Sequence, residues 1–395
     1  MRVEEVREMQ GLYGPFTLTE RIVQKIWLRQ DFETSALQTT CEKSVSVKDP
    51  GRWNLLGGPD FKGARLIVDG QAIEGDVEVH FTPSDWYAHK HEINSEFDRV
   101  VLHVVLHDDR EGARPVKTLS GNQPALLILM PLLERDLESY ATDEALLEME
   151  KVNDLEWVVD FLEKPLIQRI GEITKHAETR WVQKCAFAKR RLESASWEEA
   201  CHQSCLEVLG YSQNRAPMSR IALQYPLAKM VVSDLGADDL FSEQSEKWKL
   251  SGLRPANHPK KRLEQYLKIV SHHSEWPARL RDALENTPEL SSAMTTSVAR
   301  RLIRFPTGID DLRMELFDAE IGLTRFHTMM VDAFLPLATA AGIMDGYLAW
   351  SQWWPGDSPD AVKRFLKHVE LTGKLQPLSN GLVQGALTLF MNRGD

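Results

Sequence analysis

The chain has 395 residues, too many for one core of ordinary size, so length favours two domains or one enlarged one. Its 43% hydrophobic and 27% charged residues belong to a folded protein and exclude a repeat array or a low-complexity chain. A formal net charge of -11 repels nucleic acid and anionic membranes on average, yet basic runs at 175–191 and 251–281 leave a local nucleic-acid interface open.

No apolar stretch approaches the roughly 18 residues that span a membrane, and "MRVEEVREMQGLYG" at the N-terminus lacks the apolar run of a signal peptide. The expectation is a cytoplasmic protein with no membrane partner; a homo-oligomer stays open. Cys41, Cys185, Cys201 and Cys205 form no paired framework and read as reduced core thiols. Cys201 and Cys205 flank His202 one helical turn apart, a weak metal pattern without a second cysteine pair.

In chain order, "TLTERIVQKIWLRQDFE" at 17–33 places Ile22, Val23, Ile26 and Trp27 on one face and predicts a helix capped by Thr19. From 37 to 130 the runs "LQTT", "SVSV", "ARLIV", "AIEGDVEVHF", "RVVLHVVLH" and "ALLILMPL" alternate with turn signals and predict a sheet, with a helix near 86–98. Beyond residue 135 amphipathic segments predict an almost all-helical region. Ser196 and Glu199 form a capping box, Gly210 ends that helix, Thr287-Pro288 starts another, and Ser358-Pro359 starts one that runs to Gly373. The expected fold class is α+β: an α/β domain with a mixed sheet at 1–135, then a helical domain at 136–395.

The densest chemistry lies in "GDVEVHFTPSDWYAHKH" at 75–91. Asp69-Gly70 predicts a hairpin, and strand alternation then puts Asp76, Glu78 and His80 on one face and Val77, Val79 and Phe81 on the other. "GGPDF" brings Asp60 to the mouth of the preceding strand, beside Glu78. Paired carboxylates on neighbouring strands suit Mg²⁺ or Mn²⁺. His89 and His91 cannot both point the same way on one helix, so one of them is expected to reach the site, and Asp76 is a further candidate ligand. Five of the chain's 12 histidines, at 80, 89, 91, 103 and 107, crowd this region, and Zn²⁺ is the rival ion for such a set.

An Asp, a hairpin and a Glu-x-polar strand resemble the PD-(D/E)XK nuclease superfamily, whose core also runs helix, strands, helix, strand. The resemblance implies a restriction-endonuclease-like domain in which Asp60 and Glu78 hold the metal and the residue at position 80 orients or deprotonates water. Here that residue is His80 where the pattern has lysine. "IWLRQDF", the stretch from "PGRWNLLGGPDFKGARLIVDG" to "DWYAHKH", "FDRVVLHVVLHDD", "LGYSQNRAPMSRIA", "GLRPANHPKKRL" and "IGLTRFHTMMVDAFLPLATAAG" look like a bacterial family known as domain of unknown function 2851.

In the helical half, "GLRPANHPKKRLEQYL" sets Arg254, Lys260, Lys261 and Arg262 at a helix start, where they would hold a nucleic-acid backbone. Asn214 and Arg215 fix a loop or contact a ligand, and Trp350 and Trp354 read as helix core. The leading expectation is a metal-dependent nuclease with catalytic Asp60, Glu78 and His80. The alternatives are a noncatalytic nucleic-acid or protein-binding scaffold that keeps a degenerate nuclease core, and a zinc hydrolase acting on a small molecule.

Overall fold

The computed structural model describes residues 19–109, 115–133, 135, 137–152, 155–245, 247–303, 308–373 and 376–392. They fall into two compact units, 19–141 and 142–392. The first is a mixed sheet with a helix; the second is helical.

Helix α1, Glu20–Arg29, opens the first unit. Ile22, Val23, Ile26 and Trp27 are buried along one stripe, each contributing about 2 kcal/mol of burial, and the helix packs on strand β5 (Gln71–His80). Thr19 stands at the cap position with extended backbone, but its side chain makes no capping bond.

All six expected β-runs form strands: β1 Leu37–Gln38, β2 Ser44–Asp49, β4 Phe61–Val68, β5, β6 Val100–Val105 and β7 Ala125–Ile128. A short β3, Arg52–Trp53, is added beside β4. The main order is β1-β2-β4-β5-β6-β7, with β4 and β5 antiparallel and β5, β6 and β7 parallel. Asp69 and Gly70, with φ of 52° and 80°, make the tight turn that pairs Val68 with Gln71. Because β5 and β6 are parallel, residues 81–99 must cross over between them. That crossover is where the expected helix near 86–98 shortens: α2 covers only Asp85–Ala88, followed by single helical turns at His91–Ile93 and Ser95–Phe97.

The second unit has one large apolar core. Helix Leu166–Ser194 packs on Asn380–Asn392 and Leu335–Ala340, and Trp276, Phe317, Phe326, Phe334, Trp350 and Trp353 fill the interior. Trp350 is core as expected, with Nε1 donating to Val331 O at 2.8 Å, whereas Trp354 is half-buried. No helix among the described residues is long and apolar enough to cross a membrane.

Several local expectations are corrected. Ser196 accepts from Glu199 N–H, but the Glu199 carboxylate accepts from Leu227 N–H, so the capping box is half made. Gly210 ends the helix Trp197–Leu209 as expected, with right-handed backbone, and the left-handed Tyr211, φ 56°, starts the next helix, Tyr211–Gln224. Thr287 does not open a helix: its hydroxyl donates to Ala283 O at 3.3 Å behind the preceding helix, and the next begins at Thr296 under a Thr295 cap. The helix after Pro359 ends at His368 because Glu370 turns left-handed, φ 59°, before Gly373. Cys201 and Cys205 are buried free thiols, but Cys41 is exposed. His202 is satisfied by Tyr266 Oη at 2.7 Å and Tyr225 O at 3.0 Å, which leaves its ring no role as a ligand between those thiols.

Candidate metal centre

The site grows from strand alternation. Val77 and Val79 fill one face of β5, and Asp76, Glu78 and His80 line the other, itself buried. The loop before β4 closes on itself: Asn54 N–H donates to Asp60 O at 2.7 Å, and Asn54 Nδ2 donates to Pro59 O at 2.9 Å. Asp60 is thereby held beside Glu78. Asp60 N–H donates to Glu78 Oε2, and Val79 N–H donates to Asp60 Oδ2, both at 3.0 Å. From α1, Gln24 donates Nε2 to Asp60 Oδ1 at 2.8 Å while its Oε1 accepts from Trp53 Nε1 at 3.2 Å.

The crossover supplies the imidazoles. α2 stops at Ala88, and Lys90 adopts a left-handed φ of 61°. This bend between His89 and His91 swings both rings onto His80, correcting the expectation that only one would arrive. His89 Nδ1 lies 3.1 Å and His91 Nε2 lies 3.3 Å from His80 Nε2. The ligand atoms of His80, His89 and His91 all fall within 4.8 Å of one another. Glu78 Oε1 lies beside two of these rings, 3.4 Å from His80 Nε2 and 3.2 Å from His91 Nε2. Behind His80, His103 of β6 places Nε2 2.9 Å from His80 Nδ1. With the proton on His80 Nδ1, that bond leaves the Nε2 lone pair facing the other three groups.

Burial dominates the electrostatics. It pushes the Glu78 carboxyl up to about 8 and Asp60 to about 7, the latter helped by the charge of Glu78. Glu20, first residue of α1, is also pushed up to about 7 by burial; Asp60 and Asp85 add to that, and His89 opposes it. Burial and the adjacent rings drive His80 far below the usual imidazole range, and burial lowers His91. The close approaches of Glu78 to His80 and His91 are therefore contacts between neutral groups near neutral pH, not ion pairs.

This donor set can be tested against each ion. Tetrahedral Zn²⁺ with bonds of about 2.0–2.1 Å spaces its nitrogen ligands by about 3.3 Å, close to the separations of His89 and His91 from His80. Three imidazoles and a carboxylate suit that ion, whereas Mg²⁺ asks for oxygen. Both oxygens of Asp60 already accept protein hydrogen bonds, which suits an outer position better than a direct ligand.

Asp60, Glu78, His80, His89 and His91 are thus together, whereas Asp76 Oδ1 accepts from Gly63 N–H at 3.0 Å, away from the imidazole group. In the second unit Arg254 and Lys261 are exposed, Lys260 pairs with Asp238 Oδ1 at 2.6 Å, and Arg262 is buried. Sequence reasoning missed Glu20 and Gln24. Their spacing of four on the predicted helix was the available signal, since it puts both on one side of α1.

The sequence pattern of a family described as "Protein of unknown function (DUF2851)" matches residues 20–234, more than half of the chain, and the protein belongs to that family. No curated protein and no solved structure matches the chain.

Proposed function

We propose that the first unit is a metal-dependent hydrolase whose ion is of the zinc type, held by His80 Nε2, His89 Nδ1, His91 Nε2 and Glu78 Oε1. The observation that carries this reading is the convergence of three ring nitrogens within 4.8 Å of one another, with Glu78 Oε1 3.4 Å from His80 Nε2 and 3.2 Å from His91 Nε2. When bound, such an ion polarises a substrate oxygen and acidifies water. The chain's own groups do the rest. His103 fixes the tautomer of His80. Glu20 and Asp60, both poised near neutral pH, can take up or release the proton that hydrolysis moves. His89 is exposed and leaves the group open on its side.

A second reading is the nuclease with Mg²⁺ or Mn²⁺ on Asp60 and Glu78 in a restriction-endonuclease-like unit. It is favoured by the order helix, hairpin, crossover and parallel strand, and by the placing of Asp60 beside Glu78, whose charge raises the Asp60 carboxyl and would be offset by a cation. Metal content after purification, with calorimetric titration of Zn²⁺, Mn²⁺ and Mg²⁺ into wild type, His89→Ala and Glu78→Ala, separates the readings. Zinc bound at one per chain and weakened in both variants is the expected result. Magnesium or manganese bound without regard to His89 would favour the nuclease. No binding of any ion would leave a scaffold and sink both hydrolase readings.

A further inference from the structure

Four stretches distant in sequence meet around Tyr211 in the helical unit, and they include three of the segments that carry the family resemblance. Tyr211 is held with φ of 56°, a conformation that costs a side-chain-bearing residue about 1 kcal/mol or more. The Arg325 guanidinium lies 3.5 Å from the centroid of its ring. Arg262 Nη2 donates to the Tyr211 hydroxyl at 2.6 Å and to Asn257 Oδ1 at 3.0 Å. Both arginines are 8% exposed. The carboxylate paired with this cluster among the described residues is Asp357, whose Oδ2 lies 2.6 Å from Arg325 Nη2. Its side chain is 54% exposed. Nε of each arginine is buried with no hydrogen-bond partner among the described residues.

Two buried guanidinium groups therefore share one half-exposed carboxylate, and an uncompensated buried charge is costly. Burial and the proximity of Arg325 both lower the pKa of Arg262, the mark of cations short of counter-charge. We propose that Arg262, Arg325 and Tyr211 form a receptor for the phosphoryl group of a small ligand, with Asp357 as the carboxylate that the phosphoryl group displaces. A phosphoryl dianion supplies the missing charge and offers tetrahedral oxygens to donors arriving from separate elements, a geometry that arginine forks match. Asp357 suits the part of a displaced group: its backbone N–H is anchored on Thr328 Oγ1 at 3.2 Å, while its half-exposed carboxylate reaches solvent. This site shares no residue with the metal centre and stands whether or not the hydrolase reading holds.

The test is calorimetric titration of the full chain with inorganic phosphate, in chloride buffer at fixed ionic strength. Wild type should bind, Asp357→Asn should bind about tenfold tighter, and Arg325→Gln should lose about tenfold or more, the size of one charge-assisted bond. Should Arg325→Gln fail to fold by circular dichroism, Arg325→Lys keeps the charge without the fork and should still weaken binding several-fold. Glycerol phosphate binding more tightly than inorganic phosphate would assign a phosphomonoester; the reverse would assign the free ion. Absence of binding in both wild type and Asp357→Asn, or equal affinity in all variants, overturns the proposal.

Discussion

His80 is 1% exposed, and both its ring nitrogens face other rings or a carboxylate. A neutral imidazole in that position depends on the partner behind it. His103→Gln should therefore weaken zinc binding by about 10–100-fold with the fold intact, as loss of an outer-shell partner commonly does. Competition with a chelator measures the affinity, and an unchanged value would remove His103 from the site. His202 offers a purely structural case. Burial lowers its pKa to about 4 in the folded chain against an ordinary 6.5, so between those values the unfolded state binds the proton and the folded state does not. Stability is then full above about pH 6.5 and falls as pH drops towards 4, by about 3 kcal/mol from this residue alone. Urea midpoints across pH 4 to 7 should slope less steeply in His202→Gln than in wild type.

At the scale of elements, two glycines answer different needs. A Cβ on Gly210 would stand 2.4 Å from Asn214 O, so Gly210→Ala should cost about 1–3 kcal/mol through overpacking. Gly171 sits exposed in helix Leu166–Ser194 with nothing near its missing Cβ, and Gly171→Ala should stabilise by about 0.5–1 kcal/mol. Denaturant midpoints of the two variants should move in opposite directions. The crossover between β5 and β6 obeys a similar local logic. Had α2 continued through residue 91, alternation around the helix would have separated His89 from His91; one left-handed residue, Lys90, brings them together.

On the scale of the whole molecule, the two units carry separate candidate ligand sites. Differential scanning calorimetry should resolve two transitions, with zinc raising the one that belongs to residues 19–141 and phosphate raising the one that belongs to 142–392. A single transition moved equally by both ligands would contradict that division.

Much of this architecture was legible in the chain itself. Period-two runs and the Asp69-Gly70 turn located every strand from β4 to β7, and the apolar stripe of Ile22, Val23, Ile26 and Trp27 located α1, because these signals depend on neighbours within a few residues. The pairing of Asp60 with Glu78 followed from the same hairpin. What only the tertiary structure decided was set by distant groups. Lys90 turns left-handed inside a crossover, Gln24 and Glu20 arrive from a helix 36 or more positions before Asp60, and Arg262 is buried with its Nη2 donating to the Tyr211 hydroxyl. Local periodicity specifies which face a side chain takes on its own element; where that face is buried, and against what, depends on packing between elements that no short window contains.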